Sequence, residues 1–121
     1  MNRFWLFGVI VLTGLWLGGC DGGPEREAVR EYAAVATPDD PELAETYERS
    51  CKSCHARSGS GAPLTGDAVV WTRLIENKGM ERLIEHTIHG YRGMPPMGHC
   101  MDCDVEDFGR LIGFMARGPQ E

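Results

Sequence analysis

The chain has 121 residues and a formal net charge of −6 at pH 7 with histidines neutral, so a single domain is the default expectation. Its composition, 42% hydrophobic and 25% charged, is that of an ordinary globular protein. The acidic balance disfavours nucleic acid as a partner, because a nucleic-acid backbone requires a basic surface. It is compatible with protein partners that present basic patches, since opposite surface charges steer encounter.

The first residues, MNRFWLFGVIVLTGLWLGGC, have the organisation of an export signal. Arg3 precedes an apolar run over residues 4–17, which is too short for a comfortable membrane span and typical of a signal-peptide core. The run ends in LGGC, which resembles a bacterial lipobox, whose cysteine is lipidated and becomes the mature N-terminus. We therefore expect residues 1–19 to be a lipoprotein signal peptide and Cys20 to be lipidated. A plain signal peptide or an uncleaved anchor would also export the domain.

Residues 20–40 are predicted to form an acidic linker after the lipidated N-terminus. The middle of this stretch, EREAVREYAAVA, can form a turn or two of helix but lacks a sustained apolar face. A flexible linker of this length spans about 25 Å. That reach would let a tethered domain reorient above a membrane.

The folded domain is predicted over residues 41–117, beginning with a helix. Asp40 is placed to cap this helix and Pro41 to occupy its first position. Asp67 can cap a second helix, and Gly79 separates it from a third helix that ends before a Gly/Pro-rich stretch.

A fourth helix closes the domain, because Asp104-x-x-Asp107 resembles a capping box ahead of an apolar pattern. No strand pattern is present, so the fold class is all-α, with about four helices. A domain of about 77 residues is only marginally stable unless a disulfide, a metal or a similar group supports its core. Something else is therefore expected to help fill the interior.

The sequence CKSCH is the haem c attachment signature. Two thiols separated by two residues can reach the two vinyl groups on one edge of a haem, and the adjacent histidine then lies beneath the iron. We predict one covalently attached haem c, with thioethers at Cys51 and Cys54 and with His55 as the proximal axial ligand.

Three other interpretations of the cysteines remain open. Cys51 and Cys54 could form a structural disulfide. A thioredoxin-like dithiol would need a βαβ context, which the sequence does not indicate. A zinc site could use both C-x-x-C pairs, although thiolates are hard to keep in an oxidising compartment.

Several segments resemble the class I cytochromes c, and most closely their c5-type subgroup. They are YERSCKSCHARSGSGAPLTGD, GMERLIEHTIHG, GMPPMGHCMDC and the closing helix through Phe114-Met115. The most specific feature is MPP followed closely by a second C-x-x-C. The resemblance covers residues 41–117. It implies a single low-spin haem c, helices that cross near the two ends of the domain, and electron carriage between membrane complexes.

The resemblance also implies residues around the haem. The Pro63 carbonyl would accept a hydrogen bond from the second ring nitrogen of His55. The c5-type pattern W-x-x-R would place Trp71 and an arginine near the cofactor. Here Arg73 follows the tryptophan one position early, so its role at a haem propionate is open. Trp71 could equally be a plain core residue.

The sixth ligand of the iron is predicted to be Met94. The candidates by residue type are Met94, Met97, Met101, His86, His89 and His99. Met94 matches the ligand of the family. It also precedes Pro95-Pro96, which restrict the backbone of Met94 and make the following segment rigid. Met97 precedes a glycine, is held less firmly and is the second choice.

The remaining candidates are assigned other roles. His86 and His89 could bind zinc as a pair, but surface or hydrogen-bonding roles are favoured. His99 would ligate iron only in an alternate state. Cys100 and Cys103 are left for a structural disulfide that pins the loop to the last helix. The rival interpretation of this pair is a redox-active dithiol.

The sequence thus predicts a membrane-tethered, periplasm-facing monohaem cytochrome c that is an electron carrier rather than an enzyme. Its partners would be the membrane, through the N-terminal lipid, a quinol-oxidising complex, and a terminal oxidase or reductase. One alternative is a haem-based sensor or peroxidase-like enzyme with a labile sixth ligand. The other is a non-haem dithiol or zinc lipoprotein.

Overall fold

The computed structural model describes residues 23–119, which contain α-helices, one short 3₁₀ segment and no β-strand. The helices are Pro24–Val35 (α1), Pro41–Arg49 (α2), Lys52–His55 (α3), Ala68–Lys78 (α4), Met80–His89 (α5) and Val105–Met115 (α6), and the 3₁₀ segment is Pro96–His99. The predicted all-α class is confirmed. The predicted signal peptide and Cys20 lie outside the described residues. Within the described part of the chain, no helix is long and apolar enough to cross a membrane.

Three of the four predicted helices begin at the caps that the sequence indicates, and the fourth, α5, begins directly after Gly79. The Asp40 and Asp67 carboxylates accept backbone N–H groups at 2.8 and 3.1 Å, at the starts of α2 and α4. At the start of α6, Asp104 and Asp107 each accept the backbone N–H of the other, at 3.0 and 3.1 Å. Each cap satisfies an otherwise orphaned donor, which stabilises a helix by about 1 kcal/mol.

Helices α2 and α6 pack against each other and form the centre of the core. The Tyr47 and Phe114 rings meet edge to face, with centroids 4.9 Å apart. The buried Tyr47 hydroxyl shares a 2.8 Å hydrogen bond with Thr65. Aromatic pairs of this kind combine large apolar burial with a satisfied polar group. The two ends of the domain therefore close on each other, as the resemblance implied.

The predicted linker is wrong over residues 24–35, which form α1 and dock on the domain. Ala33 in this helix is fully buried, and the Tyr32 ring packs against the core. A Cβ on Gly66 would lie 2.2 Å from Tyr32 Cδ1, so the ring occupies the space that glycine leaves. Ala33 is the one buried residue of α1, and Val29 and Tyr32 beside it are half-buried. This side of the helix is too narrow to produce a recognisable apolar stripe in the sequence.

Candidate functional site

A cavity of about 340 Å³ lies inside the domain and gathers most of the chemically reactive side chains. Cys51, Cys54, His55 and Met94 all line it. Apolar side chains complete much of the wall, among them Trp71, Leu74, Leu83, Ile112 and Met115. The chain has 18 acidic residues, yet among the described residues no Asp or Glu is in the lining. The cavity is therefore largely apolar, and its charged side chains are cations.

The two cysteines of CKSCH flank the first turn of α3. Backbone bonds from Cys54 and His55 to the Cys51 carbonyl, at 3.2 and 3.0 Å, close this turn. Neither thiol is in a disulfide. Burial raises the pKa of the Cys51 thiol, so it is held in the protonated form. Both thiols line the same cavity. A cofactor in this cavity can therefore be bonded by both thiols along one edge.

His55 is buried and held in one tautomer. Its Nδ1 lies 2.7 Å from the Pro63 carbonyl oxygen, and because a carbonyl can only accept, Nδ1 carries the proton. The lone pair is then on Nε2, as metal ligation by a neutral imidazole requires. Burial lowers the pKa of His55, outweighing the opposite effect of the Pro63 carbonyl. The bond to Pro63 is the one that the resemblance implied.

Trp71 is both a core residue and part of the cavity wall. It is almost fully buried and its Nε1 donates to the Leu64 carbonyl at 2.8 Å. Its ring centroid lies 5.8 Å from that of His55. Trp71 thereby fixes the loop that carries Pro63 and packs beside the histidine. Trp71 is thus a core residue and a neighbour of the cavity at the same time, so the two interpretations of this residue are compatible.

The expected role of Arg73 in the haem surroundings is not supported. Arg73 is exposed and does not line the cavity. Successive residues of an α-helix are about 100° apart, so a residue two positions after Trp71 faces away from it. The cations that do line the cavity are Lys78, at the end of α4, and Arg92. Sequence reasoning missed both, and only the positions of α4 and of the loop after α5 bring them together.

Met94 lines the cavity, whereas Met97 does not. Tyr91 and Met94 exchange backbone hydrogen bonds at 3.1 and 3.0 Å, which fold the chain back at this point. A Cβ on Gly98 would lie 3.2 Å from Met94 Cε, so the glycine leaves room for the thioether. Met97 packs against the core cluster instead. Of the two methionines, the structure places the first-choice ligand at the cavity.

The three histidines of the C-terminal half differ in position. His86 and His99 line the cavity, and His89 is exposed outside it. His86 stacks on Tyr91 with centroids 3.9 Å apart and planes within 6°. Met101 is 77% exposed, which removes it from the candidates for the sixth ligand. Sequence reasoning gave no role to Tyr91, because its packing partner lies on another element.

The loop with Met94 is fastened at its far end by two contacts. Cys100 and Cys103 form a disulfide with Cα atoms 5.3 Å apart. Asp102, between them, accepts two hydrogen bonds from Arg49 at 2.9 and 2.8 Å. The disulfide withdraws two of the four thiols that a zinc site would need. In residues 23–119, no group of three or more His, Cys, Asp or Glu side chains is arranged to hold a metal ion.

The side chains in the cavity fit a covalently bound haem. Two free thiols, one neutral buried imidazole and one thioether share an apolar chamber. Thiols bond to haem vinyl groups, and imidazole and thioether sulfur are the axial ligands of c-type haem iron.

Comparisons with known proteins support this assignment. The family model described as "Cytochrome C oxidase, cbb3-type, subunit III" matches residues 38–115. Cytochrome c5 of Azotobacter vinelandii is 34% identical over 67 residues, which cover 54% of this chain and 81% of that protein. Cytochrome c-555 of Chlorobaculum tepidum is 34% identical over 74 residues, covering 58% and 68%. Cytochrome c-555 of Prosthecochloris aestuarii is 32% identical over 77 residues, covering 57% and 77%.

No solved structure matches the chain significantly. The family model and the relatives nevertheless agree with the geometry of the cavity. The chain belongs to the class I c-type cytochromes, and its cofactor is covalently bound haem c.

Proposed function

We propose that this c-type cytochrome is tethered to a bacterial membrane through Cys20 and carries single electrons between respiratory proteins on the periplasmic side. Its general role as an electron-transfer haem protein follows from the family. What we propose beyond the family is the lipid tether, the redox partners and the residues that bind the haem. In this proposal Cys51 and Cys54 hold the haem, and His55 and Met94 are its axial ligands.

One observation carries the proposal: His55 and Met94 line the same apolar cavity as the two thiols. The bound haem supplies one-electron exchange at its iron. The Pro63 carbonyl keeps the His55 lone pair on Nε2, and the apolar wall excludes water from both ligands. With both axial positions taken by side chains, no position is left for a substrate. A carrier therefore fits this site better than a sensor or a peroxidase.

The ligand pair also favours a particular place in an electron-transfer chain. A soft thioether stabilises ferrous iron and raises the reduction potential. A high potential suits a carrier that accepts electrons from a quinol-oxidising complex and donates them to a terminal oxidase. The matching family model is described by the name of an oxidase subunit, which supports the oxidase as acceptor over a reductase.

The docking of α1 supports a short tether. The helix begins at Pro24, four positions after Cys20, a distance that the chain spans with at most about 14 Å. The predicted linker would have allowed a longer reach. A lipidated Cys20 would thus hold the domain close to the membrane surface.

Membrane fractionation of the full chain, made with the haem-attachment machinery, tests the tether. When the cells are grown with labelled palmitate, we expect the wild type in the membrane fraction to incorporate the label and the Cys20→Ser variant to incorporate none, with equal haem content. Cys20 is outside the haem site, so the variant separates lipidation from cofactor binding. Recovery of both proteins in the soluble fraction would refute the tether.

Oxidation by membranes that contain a terminal oxidase tests the carrier role. The reduced protein should be reoxidised at a rate that depends on the oxidase and falls with rising salt. Rapid binding of carbon monoxide to the reduced protein, without reoxidation by the membranes, would favour the sensor or peroxidase alternative and contradict the proposal.

A further inference from the structure

One group of side chains in the cavity wall has no role in holding the iron. Lys78, Tyr91 and Arg92, together with His86, line the cavity at a part of the wall that α3 does not supply. We call these four residues the cationic cluster. They come from the end of α4, from α5 and from the loop that follows it.

The cluster concentrates positive charge around a single ring. Lys78 Nζ lies 5.3 Å and Arg92 Cζ 5.2 Å from the Tyr91 centroid. The Tyr91 ring also stacks on His86, with centroids 3.9 Å apart. A cation over an aromatic face is attracted by the negative face of the ring. The ring therefore attracts both cations without the help of an acid.

Neither cation of the cluster is neutralised by a carboxylate. None of the ion pairs found within residues 23–119 includes Lys78 or Arg92. The lining contains no Asp or Glu, although the chain as a whole carries a net charge of −6. Two unpaired cations in the wall of a cavity of an acidic protein form a site for an anion that enters the cavity.

The backbone at Arg92 is strained. Arg92 has φ +54°, in the left-handed region, which is unfavourable for residues other than glycine. The Tyr91–Met94 backbone bonds hold this conformation. It turns the Arg92 side chain back over the Tyr91 ring. Strain that persists next to a binding site indicates that the position of the side chain matters.

We propose that Lys78 and Arg92, held on the Tyr91–His86 stack, bind the propionate carboxylates of the haem. Haem brings two carboxylates into the cavity, and their side of the macrocycle is away from the vinyl groups that Cys51 and Cys54 bond. Among the described residues, Lys78 and Arg92 are the only lysine and arginine in the lining. This role replaces the one that the sequence pattern offered to Arg73. The inference rests on the proposed haem site.

The test uses the haem-loaded full chain and two measurements, the reduction potential and the propionate bands of the resonance Raman spectrum. In the Lys78→Gln/Arg92→Gln double variant, uncompensated propionate charge favours ferric iron. We expect the equilibrium constant for reduction to fall about tenfold, about 59 mV for one electron, and the propionate bands to shift. The conservative Lys78→Arg/Arg92→Lys variant should restore both.

The single variant Arg92→Gln should shift the propionate bands in the same direction as the double variant, and Arg73→Gln is its matched control, because each removes one arginine charge. Arg73 is exposed outside the cavity, so its variant should leave the bands unchanged and move the potential less. Unchanged bands in the double variant would overturn the inference. It would also be overturned if only the reaction with a protein partner changed, since the cluster would then be a docking patch. Haem content, from the pyridine haemochrome, tests the haem site separately in every variant.

Discussion

The two walls of the haem cavity are built in different ways. The wall with the thiols is a run of five residues, Cys51 to His55, whose turn is closed by bonds to the Cys51 carbonyl. The opposite wall is an irregular loop with Met94. Three of its non-glycine residues have positive φ values, namely Arg92, Met97 and His99. This loop is fastened by the local Cys100–Cys103 disulfide and by the Arg49–Asp102 ion pair, whose residues are 53 positions apart in sequence.

The two walls should respond differently when contacts elsewhere in the domain are lost. The turn from Cys51 to His55 is closed by its own backbone bonds, so it should keep the haem attached. A wall that depends on a disulfide and on Arg49–Asp102 should lose its geometry first. We therefore expect perturbations to separate haem retention, which depends on α3, from ligation by Met94.

The largest effect should follow from removing the thiols. The Cys51→Ala/Cys54→Ala variant should lose nearly all covalently bound haem, because no other thiol lines the cavity among the described residues. The pyridine haemochrome per mole of protein measures this loss. The matched control is Cys100→Ala/Cys103→Ala, which removes two cysteines that do not line the cavity and should keep its haem. Equal haem content in the two double variants would contradict the prediction.

Substitution of the sixth ligand should be next in size. Met94→Ala should keep its haem, lose the methionine–iron charge-transfer band and become at least about tenfold harder to reduce, about 59 mV. The reason is the loss of a soft ligand that favours ferrous iron. Met97→Ala is the control, since Met97 packs outside the cavity. Loss of the band in Met97→Ala alone would reverse the assignment.

Loss of the disulfide should have a moderate effect. Closing so short a loop stabilises the fold by about 2 kcal/mol in the chain-entropy model, so Cys100→Ala/Cys103→Ala should unfold at lower denaturant. The charge-transfer band should disappear before the helical signal, because the Met94 loop is released first. A reductant should have the same effect on the wild type and none on the variant. Simultaneous loss of both signals would indicate that the two walls are equally dependent on the disulfide.

The smallest effect should come from the Arg49–Asp102 ion pair at the surface. The hydrogen bond from Arg49 is the main cause that lowers the pKa of Asp102 below 3.8. A lowered pKa means that this stabilisation is complete above pH 3.8 and is lost as the pH falls through the folded value. The stability difference between wild type and Asp102→Asn should thus be small at neutral pH and vanish in acid. Thermal midpoints across this range measure it.

A control for this last prediction is available on α5. Arg82 and Glu85 form an exposed ion pair at 2.8 Å that involves no residue of the Met94 loop. Relative to the wild type, Glu85→Gln should leave the charge-transfer band unchanged, whereas Asp102→Asn should weaken it. If Asp102→Asn behaves in the same way, the ion pair does not help to fasten the Met94 loop.

Much of the fold could be predicted because its signals are local. Caps such as Asp40 and Asp104 act within three residues of themselves, and both start the helices that the sequence indicates. The attachment motif is equally local, since CKSCH contains both free thiols and the buried imidazole. The all-α class and the haem c cofactor were predictable for this reason.

Features that depend on contacts between elements could not be predicted in the same way. Helix α1 is stabilised by packing of Tyr32 on Gly66, a contact between residues far apart in sequence. The cationic cluster depends on the end of α4 approaching the loop after α5. The role offered to Arg73 followed from a sequence pattern with altered spacing, and one helical position was enough to turn the side chain to the solvent.

The spectrum of the oxidised, haem-loaded protein tests the central claim most directly, that His55 and Met94 fill both axial positions of an electron carrier. We expect a low-spin ferric spectrum with a methionine–iron charge-transfer band, and slow binding of added cyanide. A high-spin spectrum with rapid cyanide binding would contradict it, because an open axial position belongs to a sensor or an enzyme.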